Sequence, residues 1–301
     1  VAVFCATNFP IAYSVAGGDS AAALAAGCPV IVIANDAHLG VAEIVAAAVI
    51  RAAQKCGMPD GVLSLLYGGG REVGQAVVKH PATQAVGFTG SRSGGTALMD
   101  IAAKRPQPIP VYAEMSSINP IVILPGGLER DEDALAEAFF HSVTDGVGQF
   151  CTDPGLVFLP EGKGEGFLEK LKQLIEDSSP GVMLTGEISK SYDEATAAVA
   201  SADGVETFAR CRTEAGPRQG APVVFTVSVR DFLKNRELHE EMFGPATLIV
   251  RGSVEEIEAA IPELEGQLTA SIHATDDELA AHPFLISVLR ERCGRLIFNG
   301  F

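Results

Sequence analysis

The sequence is short of positive charge: 22 Lys and Arg residues stand against 38 Asp and Glu residues, giving a formal net charge of −16. Nucleic acids and anionic membranes would repel such a surface, so we expect neither as a partner. With 47% hydrophobic residues in 301 positions, the chain can bury a large core and is expected to be globular. A small molecule is therefore the predicted partner.

Closely spaced cysteine pairs and long apolar runs are also missing. The six cysteines form no C-x-x-C pair and no Cys/His spacing suited to zinc; they stand at positions 5, 28, 56, 151, 211 and 293. This pattern argues against a disulfide framework or a metal site and favours a reducing cytoplasm. The most apolar stretch, Ala21 to Ala34, is too short to span a bilayer, so we expect no membrane helix.

Short runs rich in Val and Ile alternate with helix-patterned segments in the first third of the chain. Strands are predicted near 1–5, 29–34, 62–67, 85–89 and 110–114, and helices near 11–27, 41–57, 72–80 and 93–104. Strands that are apolar on both faces and joined by helices predict a parallel sheet that binds ligands at its carboxyl edge. We therefore predict an α/β, Rossmann-like cofactor domain over residues 1–114.

A second α/β domain is predicted over residues 115–301. Its strands are expected near 119–124, 155–160, 223–228, 247–251, 269–273 and 296–298, and its helices near 131–143, 164–176, 189–201, 254–264 and 284–292. Segment 202–222, where glycines and a proline lie among charges, is predicted to be an exposed loop region. Because strand-like residues stand at both ends of the sequence, we expect the fold to be truncated at both ends.

One cysteine stands among small, turn-forming residues rather than in an apolar run. This is Cys151, within the stretch Gly148 to Gly155. A thiolate is a strong nucleophile, and flanking glycines let a carbonyl group and backbone N–H groups approach the sulfur closely. The setting points to a nucleophile, although a lone cysteine is more often a packing residue.

Further candidate residues lie where an α/β sheet places its ligands. Gly90 and Ser91 join a predicted strand to a helix whose N–H groups and dipole would favour a pyrophosphate, unless the turn is a plain one. Glu114 ends the next predicted strand, where a carboxylate would act as a general base or cap a loop. The six histidines lie outside any triad-like context, so we interpret each as a surface or structural residue.

Five short motifs cover essentially the whole chain. In order they are Asn8-Phe9-Pro10, Gly87-Phe88-Thr89-Gly90-Ser91, Glu114-Met115-Ser116-Ser117-Ile118-Asn119-Pro120, Gly148-Gln149-Phe150-Cys151 and Glu241-Met242-Phe243-Gly244-Pro245. With these motifs in register, the sequence resembles the aldehyde dehydrogenase superfamily. Details such as Ala-Glu-Met-Ser-Ser-Ile-Asn-Pro and Gly-Gln-Phe-Cys-Thr look like its 2,5-dioxovalerate (α-ketoglutarate semialdehyde) dehydrogenase branch.

The resemblance implies NAD(P)-dependent oxidation of an aldehyde, here the semialdehyde 2,5-dioxopentanoate, to a carboxylate. Cys151 matches the nucleophile, which forms a thiohemiacetal and, after hydride transfer to the nicotinamide, a thioester. Asn8 matches the amide that stabilises the oxyanion together with the N–H of the cysteine. Glu114 matches the base that activates water to hydrolyse the thioester. The family also implies a homo-oligomer, a dimer or a tetramer, for the full-length protein.

The resemblance also assigns the cofactor contacts. Gly90 and Ser91 match the turn that holds the pyrophosphate. Glu241 matches the carboxylate that holds the nicotinamide ribose, and Phe243 matches the aromatic residue that packs nearby.

Three positions depart from or refine the family pattern. Relatives carry a Lys at the adenosine ribose where this chain has Ile33, so one ribose contact is expected to be missing. Asp36, if it faces the ribose, would accept bonds from the hydroxyl groups and repel a 2′-phosphate, which favours NAD over NADP. Asp153 stands where the branch usually has Asn, and we expect it to face solvent.

Other interpretations stay open at this stage. The substrate could be a different, aliphatic or fatty, aldehyde. A coenzyme A thiol could resolve the thioester, as in acylating relatives, although retention of Glu114 argues for hydrolysis because that step needs a base. Ile33 and the abrupt ends would also fit a non-catalytic or incomplete form of the fold, but the intact Asn8, Glu114, Cys151 and Glu241 argue against it.

Overall fold

The computed structural model describes residues 1–129 and 131–301 of the chain. These residues divide into two compact units, Val1–Ser116 and Ser117–Phe301. No helix in the described ranges is both long enough and apolar enough to cross a membrane. Each unit is built from alternating strands and helices around its own sheet, as the sequence pattern predicts.

The first unit contains a five-stranded parallel sheet. Its strands are β1 (Ala2–Phe4), β2 (Val30–Ile33), β3 (Leu63–Leu66), β4 (Val86–Thr89) and β5 (Val111–Glu114). Its helices are α1 (Gly18–Ala25), α2 (Leu39–Lys55), α3 (Gln75–Lys79) and α4 (Arg92–Ala103), with short helical turns at Asp36–His38 and Gly69–Gly74. The strand order β3-β2-β1-β4-β5 is that of a Rossmann-like sheet, which confirms the predicted fold class.

Both faces of this sheet are covered, because side chains alternate along each strand. In β1, Val3 packs in one apolar cluster with Val30 and Val32, whereas Ala2 and Phe4 belong to a second cluster on the other face. Burial on both sides explains why these strands appear in the sequence as continuous apolar runs.

The helix predicted near 11–27 is shorter than expected, because α1 begins only at Gly18. The preceding residues form turns, and the backbone folds back on itself so tightly that a Cβ on Gly17 would lie 2.7 Å from the carbonyl oxygen of Ala12. Only glycine leaves room for this approach. The apolar composition of the segment therefore predicted a helix where the chain forms a turn, and that turn depends on glycine at position 17.

The second unit contains a seven-stranded sheet in the order β14-β13-β6-β7-β12-β11-β9, with a two-stranded ribbon of β8 and β10 beside it. The strands are β6 (Ile121–Ile123), β7 (Leu156–Pro160), β8 (Gly181–Val182), β9 (Glu206–Arg210), β10 (Gln219–Gly220), β11 (Val223–Ser228), β12 (Ala246–Gly252), β13 (Gln267–His273) and β14 (Cys293–Phe298). All neighbours in the large sheet are parallel except β9, which runs antiparallel to β11.

Eight helices of the described part of the second unit connect these strands. They are α5 (Pro125–Leu128), α6 (Glu132–Thr144), α7 (Glu165–Asp177), α8 (Gly186–Ala200), α9 (Val229–Lys234), α10 (Val254–Ala260), α11 (Asp276–Ala281) and α12 (Pro283–Arg292). Side-chain caps fix several helix starts: Thr185 caps α8, and Ser253 and Thr275 form capping boxes with Glu256 and Glu278. These local signals explain why most of the predicted helices lie where expected.

The prediction of an exposed loop over 202–222 was wrong, because this segment contributes β9 and β10. In β9 only Ala209 is buried, and Glu206, Thr207 and Arg210 are exposed. An edge strand needs only one apolar contact face and keeps its other side chains in water, so its composition resembles that of a loop. Pairing with the buried strand β11 determines its conformation.

Phe158 of β7 lies at the centre of the second unit, with 0% of its surface exposed and its ring packed edge-on to Phe232. We expect Phe158→Ala to lower the free energy of unfolding by about 3–5 kcal/mol, because the change leaves a cavity in a close-packed core. Phe284→Ala removes the same side chain from a site that is 55% exposed and should change stability by less than about 0.5 kcal/mol. Denaturant unfolding measures both, and similar losses for the two variants would contradict the assigned core.

Candidate active site

Cys151 follows a short turn, Asp145–Gly148, that the backbone enters directly from α6. Gly146, Val147 and Gly148 all have left-handed conformations, with φ values of 58°, 59° and 61°. A β-branched residue such as Val147 rarely adopts this conformation, so the turn is strained. Strain of this kind persists only where the surroundings enforce it, and it is concentrated at functional sites.

Close backbone packing enforces this turn. A Cβ on Gly148 would lie 2.5 Å from the carbonyl oxygen of Gly244 and 2.6 Å from the nitrogen of Pro245. Gly244 in turn has φ 157°, and a Cβ on it would overlap the ring of Tyr192. The two glycines therefore bring the Cys151 motif against the motif that contains Glu241 and Phe243, which lie far apart in the sequence.

Asn119 is a residue whose role the sequence did not reveal, although it belongs to the motif that begins at Glu114. Its side chain is buried, and its Nδ2 group donates to the carbonyl oxygens of Cys151 at 2.9 Å and Asp153 at 2.8 Å. Its Oδ1 accepts from the N–H and the hydroxyl group of Thr269, each at 3.1 Å. Asn119 thus ties the backbone on both sides of Thr152 to strand β13.

Side-chain hydrogen bonds also fix the two residues before Asn119, Ser117 and Ile118. Gln267 accepts hydrogen bonds through its Oε1 from the N–H of Ile118 at 2.8 Å and from the hydroxyl group of Ser117 at 3.0 Å. The N–H of Ser117 points to the carboxylate of Glu241 at 3.5 Å. These hydrogen bonds join the segment of Ser117 to Asn119 with the loop of Cys151 and with Glu241. Cys151, Glu241 and Phe243 are all partly exposed.

The expectation that Asp153 faces solvent was wrong. Only 9% of its surface is exposed, and its Oδ1 atom has no hydrogen-bond partner among the described residues. Burial raises the pKa of its carboxyl group well above the usual range, and the negative charge of Glu241 raises it further. The sequence misled because Asp is usually exposed in a loop, whereas here the Asn119 hydrogen bond holds the loop inward.

In the first unit, the predicted residues lie where the strands of the sheet end. Asn8 follows β1, Asp36 follows β2, Gly90 and Ser91 follow β4, and Glu114 is the last residue of β5. Because the sheet is parallel, all of these positions lie along its carboxyl edge. The strand order reverses between β1 and β4, which is the point where doubly wound sheets bind ligands.

The loops after β1 and β2 are linked by two side chains. Asn35 donates through Nδ2 to the hydroxyl oxygen of Thr7 at 2.8 Å and to the carbonyl oxygen of Cys5 at 3.3 Å. The Nε2 atom of His38 lies 2.8 Å from the carbonyl oxygen of Ala6. These bonds fix the segment that leads to Asn8, and they give His38 the structural role that the sequence predicted for its histidines.

The turn after β4 is suited to an anion. Ser91 caps the twelve-residue helix α4 by accepting a hydrogen bond from the N–H of Gly94 at 3.2 Å. The amino-terminal, positive end of the helix dipole therefore lies at this edge of the sheet. Gly90 donates its N–H to the carbonyl oxygen of Glu114 at 3.0 Å, which joins this turn to the end of β5. A Cβ on Gly90 would lie 2.8 Å from the ring of Phe88, so any larger residue would require that ring to move.

Ile33 and Asp36 have contrasting environments at the end of β2. Ile33 is 2% exposed and belongs to the apolar cluster that contains Ala2 and Phe4. Asp36 is exposed at the start of a short helical turn, where its carboxylate is accessible to a ligand. Ile33, where the family resemblance implies a Lys, is therefore part of the core, and Asp36 is an exposed acidic residue in the turn that follows β2.

One unit has a Rossmann-like sheet, and the other has a strained turn beside a cysteine. Both features are compatible with a nucleotide-dependent enzyme that uses a cysteine. The aldehyde dehydrogenase family model matches residues 1–299. The chain belongs to the aldehyde dehydrogenase family.

Individual relatives agree with this assignment. The chain is 48% identical, over its whole length, to α-ketoglutaric semialdehyde dehydrogenase 2 of Azospirillum brasilense and 38% identical to the α-ketoglutaric semialdehyde dehydrogenase of Acinetobacter baylyi. It covers 58% and 57% of these relatives. A solved structure of 1-pyrroline-5-carboxylate dehydrogenase superposes on 99% of the chain with a TM-score of 0.80 at 25% identity, and the chain covers 57% of it.

We expect Gly148→Ala to be far more harmful than the same change at Gly162, which has φ 68° but open space around it. Gly162→Ala should cost only the left-handed strain, about 1–2 kcal/mol. Gly148→Ala adds a clash with the Gly244 backbone, worth roughly 1–3 kcal/mol more, and should slow labelling of Cys151 by iodoacetamide. Denaturant unfolding and mass spectrometry measure the two effects; equal costs would mean that this backbone contact is absent.

Proposed function

We propose that the full-length protein to which this chain belongs oxidises an aldehyde to a carboxylate with NAD(P), using Cys151 as the nucleophile. The single observation that carries this proposal is the strained turn before Cys151, which is held against the motif of Glu241 by backbone contacts that only glycine permits. Maintaining such strain is costly, and a nucleophile that must be presented at a fixed angle is a sufficient reason for it.

In the proposed reaction, the thiolate of Cys151 adds to the aldehyde carbon and the carbonyl oxygen becomes an oxyanion. The side-chain amide of Asn8 and the N–H of Cys151 donate hydrogen bonds to that oxygen. NAD(P), when bound, supplies the acceptor for the hydride that leaves the same carbon, which becomes a thioester. Glu114 then takes a proton from water, the water oxygen adds to the carbon, and the thiolate leaves as the acid forms.

The residues of the first unit fit a dinucleotide. A pyrophosphate group suits the turn of Gly90 and Ser91, because the cap of α4 directs the helix dipole to that edge of the sheet. The exposed carboxylate of Asp36 can accept hydrogen bonds from ribose hydroxyl groups, and the buried Ile33 offers no positive charge for a 2′-phosphate. In the second unit, Glu241 is assigned to the nicotinamide ribose and Phe243 to packing beside it. NAD is therefore the preferred cofactor in this proposal.

The proposed substrate is 2,5-dioxopentanoate. Support comes from the names of the relatives in Azospirillum brasilense and Acinetobacter baylyi, to which the chain is 48% and 38% identical. We further propose that the full-length protein acts in the cytoplasm as a homo-oligomer. The six cysteines form no disulfide bond among the described residues, which is compatible with a reducing compartment.

Two substitutions separate the proposed steps in the full-length protein. We expect Cys151→Ala to abolish aldehyde-dependent formation of the reduced cofactor, whereas Cys56→Ala, at an exposed cysteine, should leave it unchanged. Glu114→Gln should still give one equivalent of reduced cofactor in a rapid burst and then turn over roughly 100-fold or more slowly, because general-base catalysis typically contributes that much. Stopped-flow absorbance measures both phases.

Several results of this experiment would contradict the assignments. Turnover that survives Cys151→Ala would remove the cysteine from the mechanism. A Glu114→Gln variant that turns over normally would remove Glu114 as the base. An acyl thioester that accumulates only when coenzyme A is added would replace hydrolysis by transfer to that thiol.

We expect Asp36→Ala to weaken the preference for NAD over NADP by roughly fivefold, because a like-charge contact at 4 Å costs about 1 kcal/mol in water. Asp60→Ala removes an exposed carboxylate from the same unit and should leave the preference unchanged. The ratio of kcat/KM for the two cofactors is the measurement. An equal change in both variants would show that Asp36 does not face the ribose.

A further inference from the structure

Two loops of the first unit, one after β1 and one after β2, leave the sheet side by side. Backbone pairing between the two strands ends where the N–H of Cys5 donates to the carbonyl oxygen of Ile33 at 3.1 Å. After this bond each strand continues into its loop, which carries Asn8 after β1 and Asp36 after β2. These are the residues that the proposed function assigns to the oxyanion and to the ribose.

Side chains of the second loop continue the pairing after the strands end. Asn35 donates through Nδ2 to the carbonyl oxygen of Cys5 at 3.3 Å and to the hydroxyl oxygen of Thr7 at 2.8 Å. The Nε2 atom of His38 lies 2.8 Å from the carbonyl oxygen of Ala6, which only accepts, so this nitrogen carries the proton. Three successive residues of the loop after β1 are therefore each bonded to the loop after β2.

The loop that carries Asn8 is also closed at its base. The N–H of Ala6 donates to the carbonyl oxygen of Tyr13 at 2.9 Å, and the buried hydroxyl group of Ser14 donates to the sulfur of Cys5 at 3.3 Å. Asn8 therefore lies in a short loop whose two ends are bonded to each other. A displacement of the segment before it moves Asn8 directly, because consecutive Cα atoms stay about 3.8 Å apart across a planar peptide.

The same Asn35 side chain shapes the turn that carries Asp36. Its Oδ1 atom accepts from the N–H of Ala37 at 3.0 Å and so caps the helical turn Asp36–His38. Because a backbone N–H can only donate, this bond orients the amide group with Nδ2 toward the loop after β1. One end of the Asn35 amide is therefore bonded to the turn of Asp36, and the other end is bonded to the residue before Asn8.

We propose that Asn35 is a positioning residue: through Nδ2 it sets the position of the oxyanion donor Asn8, and through Oδ1 it sets the conformation of the ribose-binding turn of Asp36. This inference rests on the proposed function. The two roles use different atoms of one amide group, so substitutions separate them. Loss of the bond to Thr7 loosens the loop of Asn8 and leaves the cap intact, whereas loss of the whole side chain affects both loops.

The first test uses the full-length protein and changes one bond. Thr7→Val removes the hydroxyl acceptor but keeps a β-branched shape, and Thr7→Ser keeps the acceptor. We expect Thr7→Val to lower kcat/KM for the aldehyde roughly tenfold, a fraction of the roughly 100-fold or more that loss of an oxyanion donor costs. Thr7→Ser and the exposed control Thr207→Val should match the wild type. In an Asn8→Ala background, Thr7→Val should have no further effect, because a double-mutant cycle isolates the contribution made through Asn8.

Two further readouts need no turnover. The dissociation constant of NAD, measured without aldehyde, should rise roughly fivefold for Asn35→Ala, the factor that loss of a cap of typical strength gives, and should stay unchanged for Thr7→Val. Hydrogen exchange followed by mass spectrometry reports on the loop itself, without cofactor or substrate. Backbone amides of residues 6–13 should exchange faster in Asn35→Ala and Thr7→Val than in the wild type and Thr207→Val, because the loop opens more often.

The outcomes separate this inference from the proposed function. Wild-type kcat/KM in Thr7→Val, or an equal loss with and without the Asn8 amide, would overturn the action of Asn35 on Asn8. Unchanged NAD binding in Asn35→Ala would overturn its action on the turn of Asp36. A wild type that oxidises no aldehyde would overturn the proposed function alone, since hydrogen exchange and NAD binding still decide whether Asn35 holds both loops. If Asn35→Ala does not fold, the Thr7 variants, which keep the cap, decide the action on Asn8.

Discussion

The amide group of Asn119 is the interaction on which the second unit's site depends. Its side chain accepts from strand β13 and donates to the carbonyl oxygens of Cys151 and Asp153, so the position of the Cys151 backbone is set by the sheet as well as by its own loop. Asn119 itself has φ 43°, a left-handed conformation that asparagine tolerates better than most residues. The strained turn before Cys151 persists because this anchor and the Gly244 backbone hold it from two sides.

In the first unit, the candidate residues are positioned by the direction of the strands in the parallel sheet. A parallel sheet places the carboxyl end of every strand on one edge, so residues as far apart in sequence as Asn8 and Glu114 share that edge. Asn35 and His38 lock the loops after β1 and β2, and the Gly90 N–H joins the turn after β4 to β5. The result is a row of polar groups on a rigid edge, which is what dinucleotide binding requires.

Much of this architecture could be predicted from the sequence because it depends on short-range patterns. Apolar runs identified the buried strands, and glycines in fixed motifs identified the turns after β4 and before Cys151. The failures have a common cause: the 202–222 segment and Asp153 were assigned from composition, yet pairing with β11 creates a strand in the first and a hydrogen bond from Asn119 buries the second. The assigned roles of Asn8, Glu114, Cys151, Glu241 and the cofactor-binding residues stay predictions.

The sequence by itself determined the family and the alternation of strands and helices, since motif order and apolar periodicity are local properties of the chain. Tertiary structure alone decided that Gly148 meets Gly244, that Asn119 anchors the loop of Cys151, and that Asp153 lies buried. These facts depend on contacts between residues that are distant in sequence, and the desolvation of a carboxyl group exists only once such contacts have excluded water.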